Sequence, residues 1–134
     1  MRKKLVGLGF LIMFTSITGP AFAEQVLISA SIAGGDQALV CACTNLTRKN
    51  IPLHTTITDR NNVQWGCSYQ SGVDSGKSIV CSSGGDVTPT LGGNCQVYRD
   101  DGLKITKQHV ACTFTSLDSS GRSITVPVDK KFKR

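Results

Sequence analysis

The chain has 134 residues and a formal charge of +6, from 15 Lys and Arg against 9 Asp and Glu. That length holds one small domain, which excludes a multidomain enzyme, a large cofactor-binding fold and a polytopic membrane protein. Length and charge both describe a precursor, because the first 23 residues have the form of a secretory signal.

Arg2-Lys3-Lys4 is a positive n-region, Leu5 to Ile17 is apolar, and Gly19-Pro20 followed by Ala21-Phe22-Ala23 supplies the break and the small-x-small cleavage site. Cleavage near Ala23 leaves 111 residues, 12 cations against 9 acids, a net charge of +3 and all six cysteines. The expected product is secreted or periplasmic. Leu5–Ala23, broken by Thr15, Ser16, Thr18, Gly19 and Pro20, falls short of the roughly 20 apolar residues of a span, and no later segment offers one.

The mature chain reads as short strands between turn signals. Val26 to Ile32 is rich in β-branched residues and ends at Gly34-Gly35-Asp36. In the next segment, from Ala38 to Leu46, Leu39, Cys41 and Cys43 share one face and Val40, Ala42 and Thr44 the other. Pro52 to Thr58 alternates with Leu53, Thr55 and Ile57 inward and His54, Thr56 and Thr58 outward; Asp59-Arg60-Asn61-Asn62 closes it and Val63-Gln64-Trp65 extends a short further strand. Lys77 to Ser82 places Ile79 and Cys81 together. A polar Ser/Gly-rich stretch then runs from Ser82 to Gly93 as a connection or a recognition loop. Cys95 to Arg99 stops at the tight-turn signal Asp100-Asp101-Gly102. Val110, Cys112 and Phe114 alternate with Ala111, Thr113 and Thr115, Asp118 to Gly121 turns, and Ser123 to Val128 returns. The domain is expected to span residues 24–129, followed by a basic tail, 130–134. About seven short strands without a helical window predict an all-β sandwich, with a small closed barrel as the alternative.

The run Leu39-Val40-Cys41-Ala42-Cys43-Thr44-Asn45-Leu46, the strand opened by Ile51-Pro52 and closed by Thr58-Asp59, and the turn Ser75-Gly76-Lys77-Ser78 before another Cys strand resemble small exported bacterial proteins of immunoglobulin-like architecture. The resemblance covers residues 38–128 and implies a disulfide-stabilised immunoglobulin-like sandwich. It brings no activity with it.

An even number of cysteines in a small exported domain reads as three disulfides, and the irregular spacing does not match paired zinc ligands, so no metal is expected. Cys41 and Cys43 lie two apart on one strand face, about 7 Å from each other, and must each reach another strand. Cys112 is the core-facing partner for one of them and Cys95 for the other. Cys67 and Cys81 remain, closing a loop of about 15 residues that contributes about 3 kcal/mol.

Chemistry is scarce. The mature chain holds two histidines, His54 and His109, one glutamate, Glu24, and no methionine, which disfavours blue-copper and glycosidase chemistry. His54 and His109 with Lys107 are the candidates for a small hydrolase or nuclease, although nothing around them repeats a nuclease motif. Asn45-Leu46-Thr47 matches a glycosylation acceptor. Trp65 and Tyr69 form either a contact patch or a core cap over a disulfide. The tail cations Lys130, Lys131, Lys133 and Arg134 are either an electrostatic contact or a solvated terminus. The rest of the mature chain has 8 cations and 9 acids, so basicity reads as a property of the tail and nucleic acid is not an expected partner. The leading expectation is a non-enzymatic, cofactor-free module that binds a protein or envelope component; the alternative is the histidine-based hydrolase.

Overall fold

The computed structural model describes residues 25–32, 37–68, 71–83 and 92–133, with the backbone alone of Lys133. The expected signal segment, Tyr69, most of the Ser/Gly-rich connection and Arg134 lie outside the described residues. Eight strands follow one another: β1 (Gln25–Ser29), β2 (Ala38–Asn45), β3 (Leu53–Asp59), β4 (Gln64–Ser68), β5 (Ser78–Ser82), β6 (Gly93–Arg99), β7 (Val110–Leu117) and β8 (Ser123–Lys133). No helix occurs among the described residues.

All pairings are antiparallel and join the strands into one sheet in the order β4-β3-β6-β1-β8-β7-β2-β5. A sandwich needs two stacked sheets. Here β8 serves both halves, pairing β7 through Ser123–Pro127 and β1 through Val128–Lys133, with an irregularity in register at Ile28/Ser29. An extra residue in one strand bends it and sharpens its twist, which lets a single long strand turn the corner. The expected sandwich is therefore replaced by a nearly closed, barrel-like sheet, the arrangement of the small-barrel alternative. The two edges, β4 and β5, are not paired with each other by a ladder; the Cys67–Cys81 disulfide bridges them.

The period-two strands fold as their patterns dictate. β2 buries Leu39, Cys41, Cys43 and Asn45, β5 buries Ile79 and Cys81, and β7 buries Val110, Cys112, Phe114 and Ser116. Together with Leu27, Leu53, Ile57 and Val97 they fill the interior around Phe114, the largest fully buried side chain. Cys43 pairs with its ladder neighbour Cys112, and Cys41 reaches across the interior to Cys95 on β6. Gly93 opens β6 where a Cβ would lie 2.4 Å from the Thr58 carbonyl oxygen, so the two backbones approach only because this residue has no side chain.

Two boundaries differ from the sequence reading. β4 is a full strand, hairpinned to β3 from Thr58↔Gln64 to His54↔Ser68, where only a short extension was expected. The segment expected as a free tail after Asp129 is the end of β8, with Lys130, Lys131, Phe132 and Lys133 opposite Ile28, Leu27, Val26 and Gln25. Its backbone bonds to β1 hold it against fraying.

Candidate functional site

Consecutive strands alternate in direction, so the connections sort onto two rims. One rim carries the β2–β3, β4–β5 and β6–β7 connections, the start of β1 and the end of β8. The other carries the β1–β2, β3–β4, β5–β6 and β7–β8 connections.

Asn45 ties the first rim together. It is fully buried at the end of β2, and its side-chain NH2 donates to the Lys49 carbonyl (2.8 Å) and the Val73 carbonyl (2.7 Å), while its Oδ1 accepts from the Thr47 N–H and hydroxyl. Its backbone bonds to Lys77 and Gly76. With both amide hydrogens engaged inside the fold, the Asn45-Leu46-Thr47 tripeptide does not present an accessible glycosylation acceptor. Further bonds link the connections to one another: Ile51 with Val73 in both directions, the Leu46 N–H to the His109 carbonyl, the Asp100 N–H to the Pro52 carbonyl and the Asn50 side chain to Asp74. Ile51, Val73 and Ile105 turn inward from the three connections and join the core, so this mouth of the barrel is plugged.

The same connections carry most of the charge. The β2–β3 connection holds Arg48 and Lys49; Lys77 precedes β5; Arg99, Lys104 and Lys107 lie at and beyond the end of β6. β8 adds Lys130, Lys131 and Lys133 as it rises to this rim. Among the described residues the rim thus gathers nine cations against Asp74, Asp100, Asp101 and, beside Lys130 on β8, Asp129, whereas the opposite rim has Arg60 and Arg122 against Asp59 and Asp118. Only Arg99, clamped to Asp101 with Nε 2.9 Å from Oδ1, pairs with a carboxylate there; Arg48, Lys49, Lys77, Lys104, Lys107, Lys130 and Lys131 are exposed. The tail cations are thus one part of a basic face, and the expectation that basicity belongs to the tail is corrected. Position along the chain hid this, because the cations are dispersed in sequence and collected by strand alternation.

His54 belongs to a compact polar cluster on the outer wall at this rim. Its ring stacks on Tyr98 (centroids 4.6 Å apart, planes 18° apart), its Nδ1 lies 3.4 Å from Asp100 Oδ1, and Ser68 donates to Asp100 Oδ2 at 2.8 Å. A Cβ on Gly66 would lie 3.2 Å from His54 Nε2, so the other ring nitrogen packs over that glycine. The hydroxyl and the imidazole therefore share the carboxylate, and the cluster ties β3, β4 and β6 together. A nucleophile must instead bond to its base.

His109 stands before β7, with β6, β1 and β8 between β3 and β7 in the sheet, and its Nδ1 is buried without a partner. The structure does not converge His54 and His109 on one site. Trp65 is half-buried on β4 and packs with Cys67 against the core, and Tyr69, its companion in the expected patch, lies outside the described residues. A shallow hollow of about 240 Å³ lies between Ser71, Gly72, Val73, Asp74, Lys77 and Ser78 on the basic rim. Among the described residues no three His, Cys, Asp or Glu side chains gather as metal ligands. Comparison with protein-family models, with curated proteins and with solved structures gives no match.

Proposed function

We propose that the chain is an exported, non-enzymatic binding protein that engages an acidic partner in the cell envelope or outside the cell through its basic rim. The concentration of nine cations against four carboxylates on one plugged, hydrogen-bonded rim is the observation that carries this reading. The form of residues 1–23, removed near Ala23, and six cysteines all held in disulfides support export to an oxidising compartment. A field of one sign on one face steers an oppositely charged partner and orients its approach. The histidines support the non-enzymatic reading: His54 is engaged with Asp100, Tyr98 and the Gly66 backbone, and His109 stands elsewhere in the sheet.

The test is retention of the purified exported protein on envelope and extracellular material from its own source at increasing salt. Retention should fall with ionic strength and be lost in Lys104→Glu/Lys107→Glu/Lys131→Glu, while His54→Gln/His109→Gln retains it. Retention indifferent to the charge reversal, or an RNA- or glycan-degrading activity abolished by the histidine substitutions, overturns the reading.

A further inference from the structure

Six large apolar side chains are exposed among the described residues, and three of them share the basic rim: Leu46 at 53%, Leu103 at 59% and Phe132 at 55%. They come from three different elements, the β2–β3 connection, the β6–β7 connection and β8. Each sits among cations in the chain: Leu46 two residues before Arg48, Leu103 beside Lys104, Phe132 between Lys131 and Lys133. Val63 and Ile124, exposed at the opposite rim, have no such excess of positive charge around them.

A surface that takes only a polyanion needs cations, and one that takes single-stranded nucleic acid adds aromatic faces on which bases stack. Exposed leucines serve neither purpose. Apolar side chains set among lysines and arginines match an interface that is anionic at its surface and hydrocarbon a few ångströms below. The three connections are bonded to one another, including the Leu46 N–H to the His109 carbonyl at 2.8 Å, so Leu46 and Leu103 are presented by a pre-ordered rim.

We infer that the basic rim is a docking face for an anionic phospholipid bilayer, with Leu46, Leu103 and Phe132 entering the acyl boundary and the neighbouring cations holding the headgroups. The inference rests on the rim being the binding face and names its partner.

Co-sedimentation tests it, using vesicles of phosphatidylcholine alone, vesicles of equal parts phosphatidylcholine and phosphatidylglycerol, and two lipid-free polyanions, polyphosphate and single-stranded DNA. The exported protein should bind the mixed vesicles and not the neutral ones. Lys104→Glu/Lys107→Glu/Lys131→Glu should weaken vesicle binding about a hundredfold, from roughly fivefold for each cation near an anionic surface. Leu46→Ser/Leu103→Ser/Phe132→Ser should weaken it by about tenfold or more through lost burial in the acyl region, leaving any binding to the lipid-free polyanions unchanged. Leu103→Ser alone, on an exposed connection, serves if the triple variant loses its disulfide pattern. Vesicle binding undiminished by the serine variants overturns the inference. Binding to the polyanions without binding to vesicles also overturns it while leaving the basic rim as a binding face, and binding to none of them overturns both.

Discussion

Thr55 lies on the inner face of β3, opposite Cys67 on one side and Val97 on the other, and its hydroxyl is buried without a hydrogen-bond partner. A buried orphan hydroxyl carries a desolvation penalty that a methyl of similar size does not. Thr55→Val is therefore expected to stabilise the domain by about 1 kcal/mol, read as a rise in the thermal midpoint of roughly 4 °C; an unchanged or lower midpoint contradicts the orphan assignment. Asn45 is the opposite case. Asn45→Ala strips partners from the Lys49 and Val73 carbonyls and from Thr47 at once, and should destabilise by about 2 kcal/mol or more, with faster amide exchange at Val73 and Thr47. Three letters of sequence made Asn45 a glycosylation acceptor, because burial and long-range partners do not register in a tripeptide. The outward placement of His54 was legible from alternation, but its company of Asp100, Ser68 and Tyr98 comes from two further strands.

At the scale of elements, the Asp100-Asp101-Gly102 turn is readable in the chain because its chemistry is local. Gly102 takes φ of 71°, and Asp101 is held below the ordinary Asp value of 3.8 by its hydrogen bond with Arg99, aided by the Leu103 N–H. A carboxylate whose folded value is depressed contributes stability above its unfolded value and loses it as pH falls through the folded one. The tip of the β6–β7 connection should accordingly loosen only below about pH 3.8, seen as faster exchange of the Leu103 amide, and Asp101→Asn should remove that dependence. The Cys67–Cys81 bridge closes the sheet where a ladder does not, over a separation of 14 residues. Cys67→Ser/Cys81→Ser should lower stability by about 3 kcal/mol from loop entropy, with amide exchange rising first in β4 and β5; an even rise over all strands counts against its role as the closing seam. Loop length favoured this bridge in the sequence, and facing strand positions favoured Cys95 and Cys112 as partners of Cys41 and Cys43. The far end of β8 is not legible in the chain because a run of lysines masks a period of two, although its backbone pairs with β1 as far as Lys133.

For the whole molecule, strand content and inward faces were legible, since β-branched alternation is a local signal. Closure was not: the same alternation suits two stacked sheets and one curled sheet, and the choice falls to the irregularity at Ile28/Ser29 that lets β8 pair on both sides. The distribution of charge was hidden for a similar reason. Counted along the mature chain, the residues outside the last five are nearly neutral; sorted by strand direction, the described ones divide into a basic rim and a balanced one. That order of strands also decides how the protein answers a mechanical load. Gln25 and Lys133 face each other at the same end of one antiparallel ladder, so tension applied to the two ends peels β1 from β8 one hydrogen-bonded pair at a time instead of shearing the whole ladder. The peeling has a covalent stop: Cys43–Cys112 carries the force past everything between those two residues, and only the chain before Cys41 and after Cys112 pays out. Pulled by its ends, the barrel gives way early and then holds.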